Sequence, residues 1–325
     1  MTQVLIIGGG GMVGQKLGHV LARDGLFDGR APQVTMFDMG FAPDGAPATN
    51  RIIGNLTDTA AVQKLIAARP DIIYHLAAIV SGEAESDFDL GWSVNFQAFW
   101  AFCQAIRDEH LASQGTWVPR VVFTSSIAVF GPPFPARIGD EFLAAPQTSY
   151  GAQKAASELM IADIARKGYC EAIAMRLPTI CVRPGRANLA ASSFFSGIIR
   201  EPLNGKTAIL PVSTDVRHWH ASPRAAAGFL RHASGLDFSR LQGRRALNLP
   251  GVSCTVEEQI EALRDLAGND VVALIKPQPD ETIQRIVGGW PRDFDPVRGH
   301  ALGFVAEPDF KTIIQTYIDD DLGRS

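Results

Sequence analysis

Short apolar runs alternate with stretches of helical periodicity through the first half of the chain. The runs, each with three or more apolar residues, are segments 4–8, 33–38, 71–78, 120–126 and 171–178. Continuous apolar strands, as opposed to alternating ones, indicate a parallel sheet that is covered on both faces. Between them, residues 12–25 and 58–70 have the pattern of helices, and the second ends at Pro70. This alternation predicts an α/β fold built on a doubly wound parallel sheet with right-handed crossovers.

The pattern changes after Pro178. Residues 183–215 are rich in Pro, Gly, Asn and Ser, and a further apolar run at 244–251 is predicted to return to the sheet. We therefore expect a first domain at residues 1–182 with a returning segment at about 216–250. Residues 183–215 and 251–325 are expected to form a smaller C-terminal lobe.

Composition narrows the functional class. The chain has 325 residues, of which 46% are hydrophobic and 20% charged, with a formal net charge of −4. This balance gives no basic surface for nucleic acid, and no apolar run is long enough to cross a membrane. The N-terminus carries no targeting signal, and the four cysteines are far apart with no CxxC pair. Reduced, buried cysteines and a cytoplasmic location are the resulting expectations.

A glycine-rich turn follows the first predicted strand and opens the first predicted helix. Gly8 permits the tight turn, Gly11 lets backbone approach a pyrophosphate, and Gly14 lets the helix pack against the strand. Met12 and Val13 would present backbone N–H groups at the helix N-terminus. Asp38 ends the next strand, where an acid holds ribose hydroxyls and repels a 2′-phosphate. This combination predicts a Rossmann-type NAD-binding domain that favours NAD over NADP.

A second set of polar residues has the order expected for hydride chemistry. Tyr150 and Lys154 are four residues apart on a predicted helix that Thr148 or Ser149 can cap, so they share one face. Ser126 ends the apolar run at 120–126, and its hydroxyl can form a hydrogen bond with the substrate oxygen that reacts. Lys154 is expected to lower the pKa of the Tyr150 phenol, which then takes a proton from a substrate alcohol.

The order of these motifs resembles that found in the short-chain dehydrogenase/reductase superfamily. The sequences around the motifs resemble its extended branch, the NAD-dependent epimerase/dehydratase family. The resemblance implies Ser126, Tyr150 and Lys154 as catalytic residues and Ser125 as a neighbour on the backbone or cofactor side. Dehydratases of this branch carry an Asp-Glu pair where this chain has Ile127 and Ala128, so elimination is not expected. Further cofactor contacts are implied at Asn55 and Leu56 after the third strand, at Leu76, Ala77 and Ala78, at the helix residue Asn95, and at Pro178 and Thr179.

The substrate segments depart from the pattern of the sugar-nucleotide enzymes. Arg217 is retained, but His218 replaces the first acid of their Arg-Asp motif, and Pro223-Arg224 stand where two acids are usual. A small acidic substrate fits this change better. Several segments resemble dehydrogenases of the branch that oxidise a four-carbon sugar acid, an aldonate, to the 2-oxo acid with NAD. That resemblance implies a substrate pocket lined by Ser81, Glu83, Ser126, Tyr150, Asn188, Ser192, Ser193 and Arg217.

Two alternatives remain open at this point. A sugar or sugar-nucleotide epimerase would use the same three residues and return the hydride, and a redox-sensing binding protein would use NAD only as a ligand. No His/Asp/Glu cluster has metal-ligand spacing, so no metal is expected. His218 and His220 are expected to face opposite sides of an extended segment. The resemblance also implies a homodimer through the helices near residues 90–112 and 148–167.

Overall fold

The computed structural model describes residues 1–185 and 191–323. Its strands alternate with helices in the first half of the chain, as the apolar pattern predicts. The strands are β1 (Gln3–Ile7), β2 (Gln33–Asp38), β3 (Asn50–Ile53), β4 (Ile72–His75), β5 (Arg120–Ser126), β6 (Ile138–Gly139), β7 (Glu171–Leu177), β8 (Thr179–Ile180), β9 (Ala208–Leu210), β10 (Arg217–Ala221), β11 (Ala246–Asn248), β12 (Val252–Thr255), β13 (Ile275–Pro277) and β14 (Phe294–Asp295).

The helices vary widely in length, and the longest one carries Tyr150 and Lys154. They are α1 (Met12–Asp24), α2 (Thr59–Ala67), α3 (Ser81–Ser86), α4 (Phe88–Trp92), α5 (Ala98–Ala112), α6 (Ser149–Arg166), α7 (Ser193–Leu203), α8 (Pro223–Gly235), α9 (Val256–Ala267), α10 (Asn269–Val272), α11 (Glu281–Gly288), α12 (Val297–Ala301) and α13 (Phe310–Asp320). One π-helical turn, at Ser93–Gln97, joins α4 to α5.

The central sheet has seven parallel strands in the order β11-β7-β5-β4-β1-β2-β3 within the described residues. The strand order runs one way from β1 to β3 and the other way from β4 to β11, so a topological switch point lies between β1 and β4. In doubly wound sheets a ligand binds at the carboxyl ends of the strands at this point. The predicted doubly wound fold is confirmed, and the run at 244–251 does return to the sheet as β11, beside β7.

Helices cover both faces of the central sheet, which explains the continuous apolar runs. On one face, Leu17 and Leu21 of α1 pack with Phe229 and Leu230 of α8 against the sheet. On the other face, α2, α5 and α6 bury a cluster that includes Phe102. β3 at the edge is exposed along its whole length, so no buried apolar run identifies it.

The C-terminal half forms smaller sheets around an apolar cluster of its own. β10 pairs in parallel with β8 and antiparallel with β12, and β9 pairs with β13. The cluster is built from α7, α9 and α13. Among the described residues, no helix has the length and apolar character needed to cross a membrane. The division into a nucleotide-binding domain and a substrate lobe stays a prediction.

Candidate active site

The glycine turn between β1 and α1 leaves room on one side only. Gly8 has a φ of +87°, and a Cβ at this position would lie 2.6 Å from the Ala77 nitrogen. A Cβ at Gly14 would lie 2.3 Å from the Gly8 carbonyl oxygen, so α1 packs directly on the turn. At Gly11 the nearest atom would be 3.5 Å away. The open side of the turn is therefore at Gly11, where α1 begins with no side-chain cap on its first N–H groups, those of Met12 and Val13.

Asp38 lies at the end of β2 and faces the same turn. Its carboxylate accepts hydrogen bonds from the backbone N–H groups of Gly10 (2.9 Å) and Met39 (2.7 Å). A Cβ at Gly10 would come within 2.1 Å of the Gly40 carbonyl oxygen. Gly10, which the glycine pattern does not single out, is thus required for the turn to reach Asp38. A fixed carboxylate beside a helix N-terminus that is open at Gly11 fits the ribose and pyrophosphate of a dinucleotide.

The segment after β4 forms the other wall of this cleft. The backbone N–H groups of Leu76 (2.8 Å) and Ala77 (3.2 Å) donate to the Ile7 carbonyl, and Ala78 continues the loop. Buried Asn95 holds the loop by accepting from the Ile79 N–H (2.8 Å) and donating to the Ile79 carbonyl (3.1 Å). Its amide also donates to Gln153 Oε1 on α6 at 2.7 Å. Asn95 therefore braces the loop against α6, and its predicted contact with the cofactor stays a prediction.

The remaining predicted cofactor positions have the following surroundings. Asn55 accepts a hydrogen bond from the Thr57 N–H (3.0 Å), and Leu56 is buried beside it. Pro178 is buried directly after β7. The Thr179 hydroxyl lies 2.7 Å from His218 Nε2, whose Nδ1 lies 2.8 Å from the Pro291 carbonyl oxygen. Because that carbonyl can only accept, Nδ1 carries the proton of a neutral ring and Nε2 accepts from Thr179.

Ser126, Tyr150 and Lys154 meet at the carboxyl end of β5. Ser126 is the last residue of β5, and α6 starts after Thr148, whose hydroxyl accepts from the Gly151 N–H (3.1 Å). The Ser126 hydroxyl lies near enough to the Tyr150 phenol to lower the pKa of the phenol. Buried Lys154 donates to the Thr124 carbonyl (2.8 Å), and its Nζ lies 5.7 Å from the centre of the Tyr150 ring. The structure thus brings the three predicted residues together at the sheet edge that also holds the glycine turn.

Burial dominates the protonation of this group. Removal from water raises the pKa of the Tyr150 phenol from 10.0 to about 12, and it lowers the pKa of the Lys154 ammonium from 10.5 to about 7. The influences that lower the pKa of Tyr150 are the charge of Arg183 and the hydrogen bond with Ser126. Sequence reasoning assigns the lowering to Lys154 and misses Arg183, since no motif marks it.

The two adjacent serines of β5 have separate surroundings. Ser125 is buried and donates to Glu158 Oε1 at 2.6 Å. Glu158 also accepts two hydrogen bonds from Arg176 of β7, at 2.9 and 2.7 Å. Glu158 lies one helical turn after Lys154 on α6, and its charge raises the pKa of Lys154 against the effect of burial. This buried Ser125–Glu158–Arg176 network is absent from the sequence interpretation.

The predicted substrate residues are distributed around this centre. Ser81 and Glu83 lie on α3, and α3 is joined to the start of α6 by a hydrogen bond from the Ser149 N–H to Glu85 (2.9 Å). Ser192 and Ser193 lie at the start of α7, while Asn188 lies outside the described residues. Arg217 begins β10, where it forms an ion pair with Glu258 (3.2 Å) and donates to the Ser253 carbonyl oxygen (3.2 Å).

One expectation about the histidines is wrong. His218 and His220 face the same side of β10, and their ring centres are 5.3 Å apart. Residues two apart in a strand point to the same face, so the expectation misapplied the strand period. Both rings pack against Phe195 in the interior of the C-terminal lobe. The part of the chain that the structure describes contains no group of three or more potential metal ligands, and its four cysteines are free and buried.

Comparison with known proteins agrees with this geometry. The model of the "NAD dependent epimerase/dehydratase family" matches residues 4–232. A D-erythronate dehydrogenase of Cupriavidus necator is 43% identical over 324 residues, which cover 98% of each chain. A D-erythronate dehydrogenase of Haemophilus influenzae is 38% identical over 98% of this chain and 100% of its own.

A solved structure matches the whole chain as well. The crystal structure of a nucleoside-diphosphate-sugar epimerase from Agrobacterium tumefaciens superposes with a TM-score of 0.94 at 49% identity, covering 100% of this chain and 96% of that one. The family match covers most of the chain, including the glycine turn and the site at the end of β5. The cofactor is therefore NAD, and the chain is an NAD-dependent oxidoreductase that belongs to the NAD-dependent epimerase/dehydratase family, the extended branch of the short-chain dehydrogenases/reductases.

Proposed function

We propose that this chain oxidises D-erythronate, or a closely related small aldonate, to its 2-oxo acid. The observation that carries the proposal is the meeting of Ser126, Tyr150 and Lys154 beside the glycine turn, in a chain similar over nearly its full length to two D-erythronate dehydrogenases. A soluble homodimer in the cytoplasm is the setting we propose for this activity.

The proposed roles follow from the site's geometry. Bound NAD supplies the acceptor for the hydride that leaves the substrate carbon, which completes a two-electron oxidation. Tyr150 acts in its phenolate form: the phenolate oxygen accepts the proton of the substrate hydroxyl as a carbonyl forms, and Ser126 donates a hydrogen bond to the same substrate oxygen. Lys154 holds a positive charge behind the phenol. Ile127 and Ala128 follow Ser126 and have no group that transfers a proton, so loss of water is not part of the reaction.

The test is net reduction of NAD. The purified chain is mixed with NAD and a panel of four- and five-carbon aldonates, and absorbance at 340 nm is followed. We expect NADH to accumulate with D-erythronate or a near relative. Tyr150→Phe should lower kcat by about 10²- to 10⁴-fold, the range of a lost general base. Tyr169→Phe, at a tyrosine that packs on His110 away from the site, is the matched control.

An NAD-retaining epimerase is the second candidate. It is favoured by the 49% identity to the structure described as a nucleoside-diphosphate-sugar epimerase. An epimerase would copurify with NAD and interconvert sugar nucleotides with no net change at 340 nm. Absence of NADH formation across the aldonate panel, together with such interconversion, would refute the dehydrogenase proposal.

A further inference from the structure

Arg183 lies in the loop after β8, and its backbone is fixed from both sides. Its N–H donates to Ser196 Oγ of α7 at 3.0 Å. Its carbonyl oxygen accepts a hydrogen bond from Arg200 Nη1 at 2.8 Å, and Arg200 is buried in α7. Two side chains of one helix thus set the position from which the Arg183 side chain extends.

The guanidinium of Arg183 is oriented by two further hydrogen bonds. Its Nε donates to the Ile180 carbonyl at 3.0 Å, and its Nη2 donates to Ser192 Oγ at 2.7 Å. These bonds fix the plane of the group and direct it toward the start of α7. A guanidinium stays charged at all physiological pH values, so a permanent positive charge is held here in a half-buried position.

This charge acts on the proposed catalytic tyrosine. Arg183 lowers the pKa of the Tyr150 phenol, and its effect is larger than that of the hydrogen bond from Ser126. An effect of this kind weakens steeply with distance and with intervening water. Geometry agrees with this effect: Leu177 of β7 pairs with Ser126 of β5, and the Ile180 carbonyl that accepts from Arg183 follows three residues later. Arg183 therefore lies beyond the same carboxyl edge of the sheet as Ser126 and Tyr150.

The chemistry of a 2-hydroxy acid fits that space. Its carboxylate is bonded to the carbon that bears the reacting hydroxyl. When the hydroxyl reaches Tyr150, the carboxylate is one carbon away, within reach of a cation that borders the phenol. A guanidinium held in place attracts a carboxylate and donates charge-assisted hydrogen bonds to it. The reacting alcohol of a sugar nucleotide has no such neighbour.

The other candidate arginines have different partners. Arg217, the sequence-based choice, pairs with Glu258 and lies at the opposite end of β10 from Ala221, whereas Ile180 pairs with Ala221. Arg224 pairs with Asp320 at the surface. We therefore propose that Arg183, oriented by Ser192, binds the substrate carboxylate next to Tyr150 and makes the enzyme selective for 2-hydroxy acids. This inference rests on the proposed aldonate dehydrogenase function.

The test compares three variants of the full chain with D-erythronate and NAD. Arg183→Gln should raise the KM for erythronate by about 10- to 100-fold, as expected for a lost charge-assisted pair. Arg183→Lys should give a smaller rise in the KM for erythronate, because lysine keeps the positive charge but lacks the planar set of guanidinium N–H donors. Arg217→Gln tests the sequence-based alternative. Arg224→Gln, at a surface arginine that pairs with Asp320, is the control beside these three variants and should stay within about twofold of wild type. The KM for NAD should be unchanged in all three variants.

Two readouts separate carboxylate binding from a structural effect. Erythritol, which has the hydroxyls and no carboxylate, should be a poor substrate for wild type. Arg183→Gln should not lower kcat/KM for erythritol further. The basic pKa in the pH profile of kcat/KM should also rise in Arg183→Gln, because the charge that lowers the Tyr150 pKa is gone. If Arg183→Gln loses NAD binding, the KM for erythronate and the pH profile of kcat/KM of Arg183→Lys are used to test the proposal.

The outcomes distinguish this inference from the proposed function. Erythronate oxidation with an unchanged KM in both Arg183 variants, or a KM rise in Arg217→Gln alone, overturns the role of Arg183 and leaves the function standing. Binding of erythronate to the NADH complex can be measured by calorimetry without turnover. If that binding depends on Arg183 while no aldonate is oxidised, the inference stands and the dehydrogenase function fails.

Discussion

The buried ammonium of Lys154 should make the stability of the cofactor-free chain depend on pH, and Lys154→Met should remove that dependence. The pKa of Lys154 is about 7 in the folded chain and 10.5 in ordinary surroundings. Between these values the unfolded chain binds one more proton at this lysine than the folded chain does. The free energy of unfolding therefore rises with pH in this window.

The magnitude follows from the two pKa values. Each pH unit inside the window adds about 1.4 kcal/mol, so wild type should gain about 3 kcal/mol relative to Lys154→Met between pH 6.5 and pH 9.5. The hydrogen bond to Thr124 and the contact with the Phe123 ring favour the ammonium, so their dependence on pH is already contained in the folded pKa. Lost packing of the lysine methylene groups does not depend on pH and cancels in this comparison. Titration of the buried cysteines also cancels, because both proteins carry them.

The assay is urea unfolding of both proteins without NAD, at the two pH values, followed by circular dichroism. Lys167→Met is the matched control, because Lys167 lies exposed at the end of the same helix. The difference in the free energy of unfolding between Lys167→Met and wild type should change by less than about 0.5 kcal/mol between the two pH values. The reasoning is refuted if the difference between wild type and Lys154→Met is the same at both pH values.

Three further predictions concern the cofactor site, the buried network and the dimer. Asp38→Ala should raise the KM for NAD and narrow the preference over NADP, and unchanged kinetics with both cofactors would contradict its role. Glu158→Gln leaves the buried charge of Arg176 without its anion and should lower the free energy of unfolding by about 3–5 kcal/mol in urea; a loss below about 1 kcal/mol would contradict this. Leu159 of α6 is 75% exposed and Trp100 of α5 is 42% exposed. If these helices form the dimer, wild type should have a dimeric mass by light scattering and Leu159→Glu a monomeric one, whereas a monomeric wild type would rule the dimer out.

The parts of the molecule that the sequence predicts well are those whose causes are local. Gly8 is required by its φ of +87°, and Gly14 by the Gly8 carbonyl oxygen six residues earlier, so a local glycine pattern predicts this turn. Asp38 follows an apolar strand whose end is visible in the sequence. Tyr150 and Lys154 share a face because the helical period places them there. For these positions a short segment contains the reason for the structure.

The positions that the sequence does not predict depend on distant segments. Arg183 follows β8, which pairs with β10, a strand that begins more than thirty residues later, and its backbone and side chain bond α7. The same pairing places His218 beside Thr179, where the neutral ring accepts a hydrogen bond from the Thr179 hydroxyl. Gly10 is needed because of the carbonyl oxygen of Gly40. No periodicity or local motif encodes contacts of this range.

The adjacent serines of β5 combine both kinds of information. Alternation along a strand directs neighbouring side chains to opposite faces, so Ser126 and Ser125 must have different partners. Ser126 lies beside Tyr150 and lowers the pKa of its phenol, whereas Ser125 donates to Glu158, which pairs with Arg176. Because Glu158 raises the pKa of Lys154 while burial lowers it, the second serine supports the ammonium that the proposed mechanism places behind the phenol. One strand thus carries the hydroxyl proposed to bond the reacting oxygen and, one residue earlier, holds the anion that raises the pKa of the lysine.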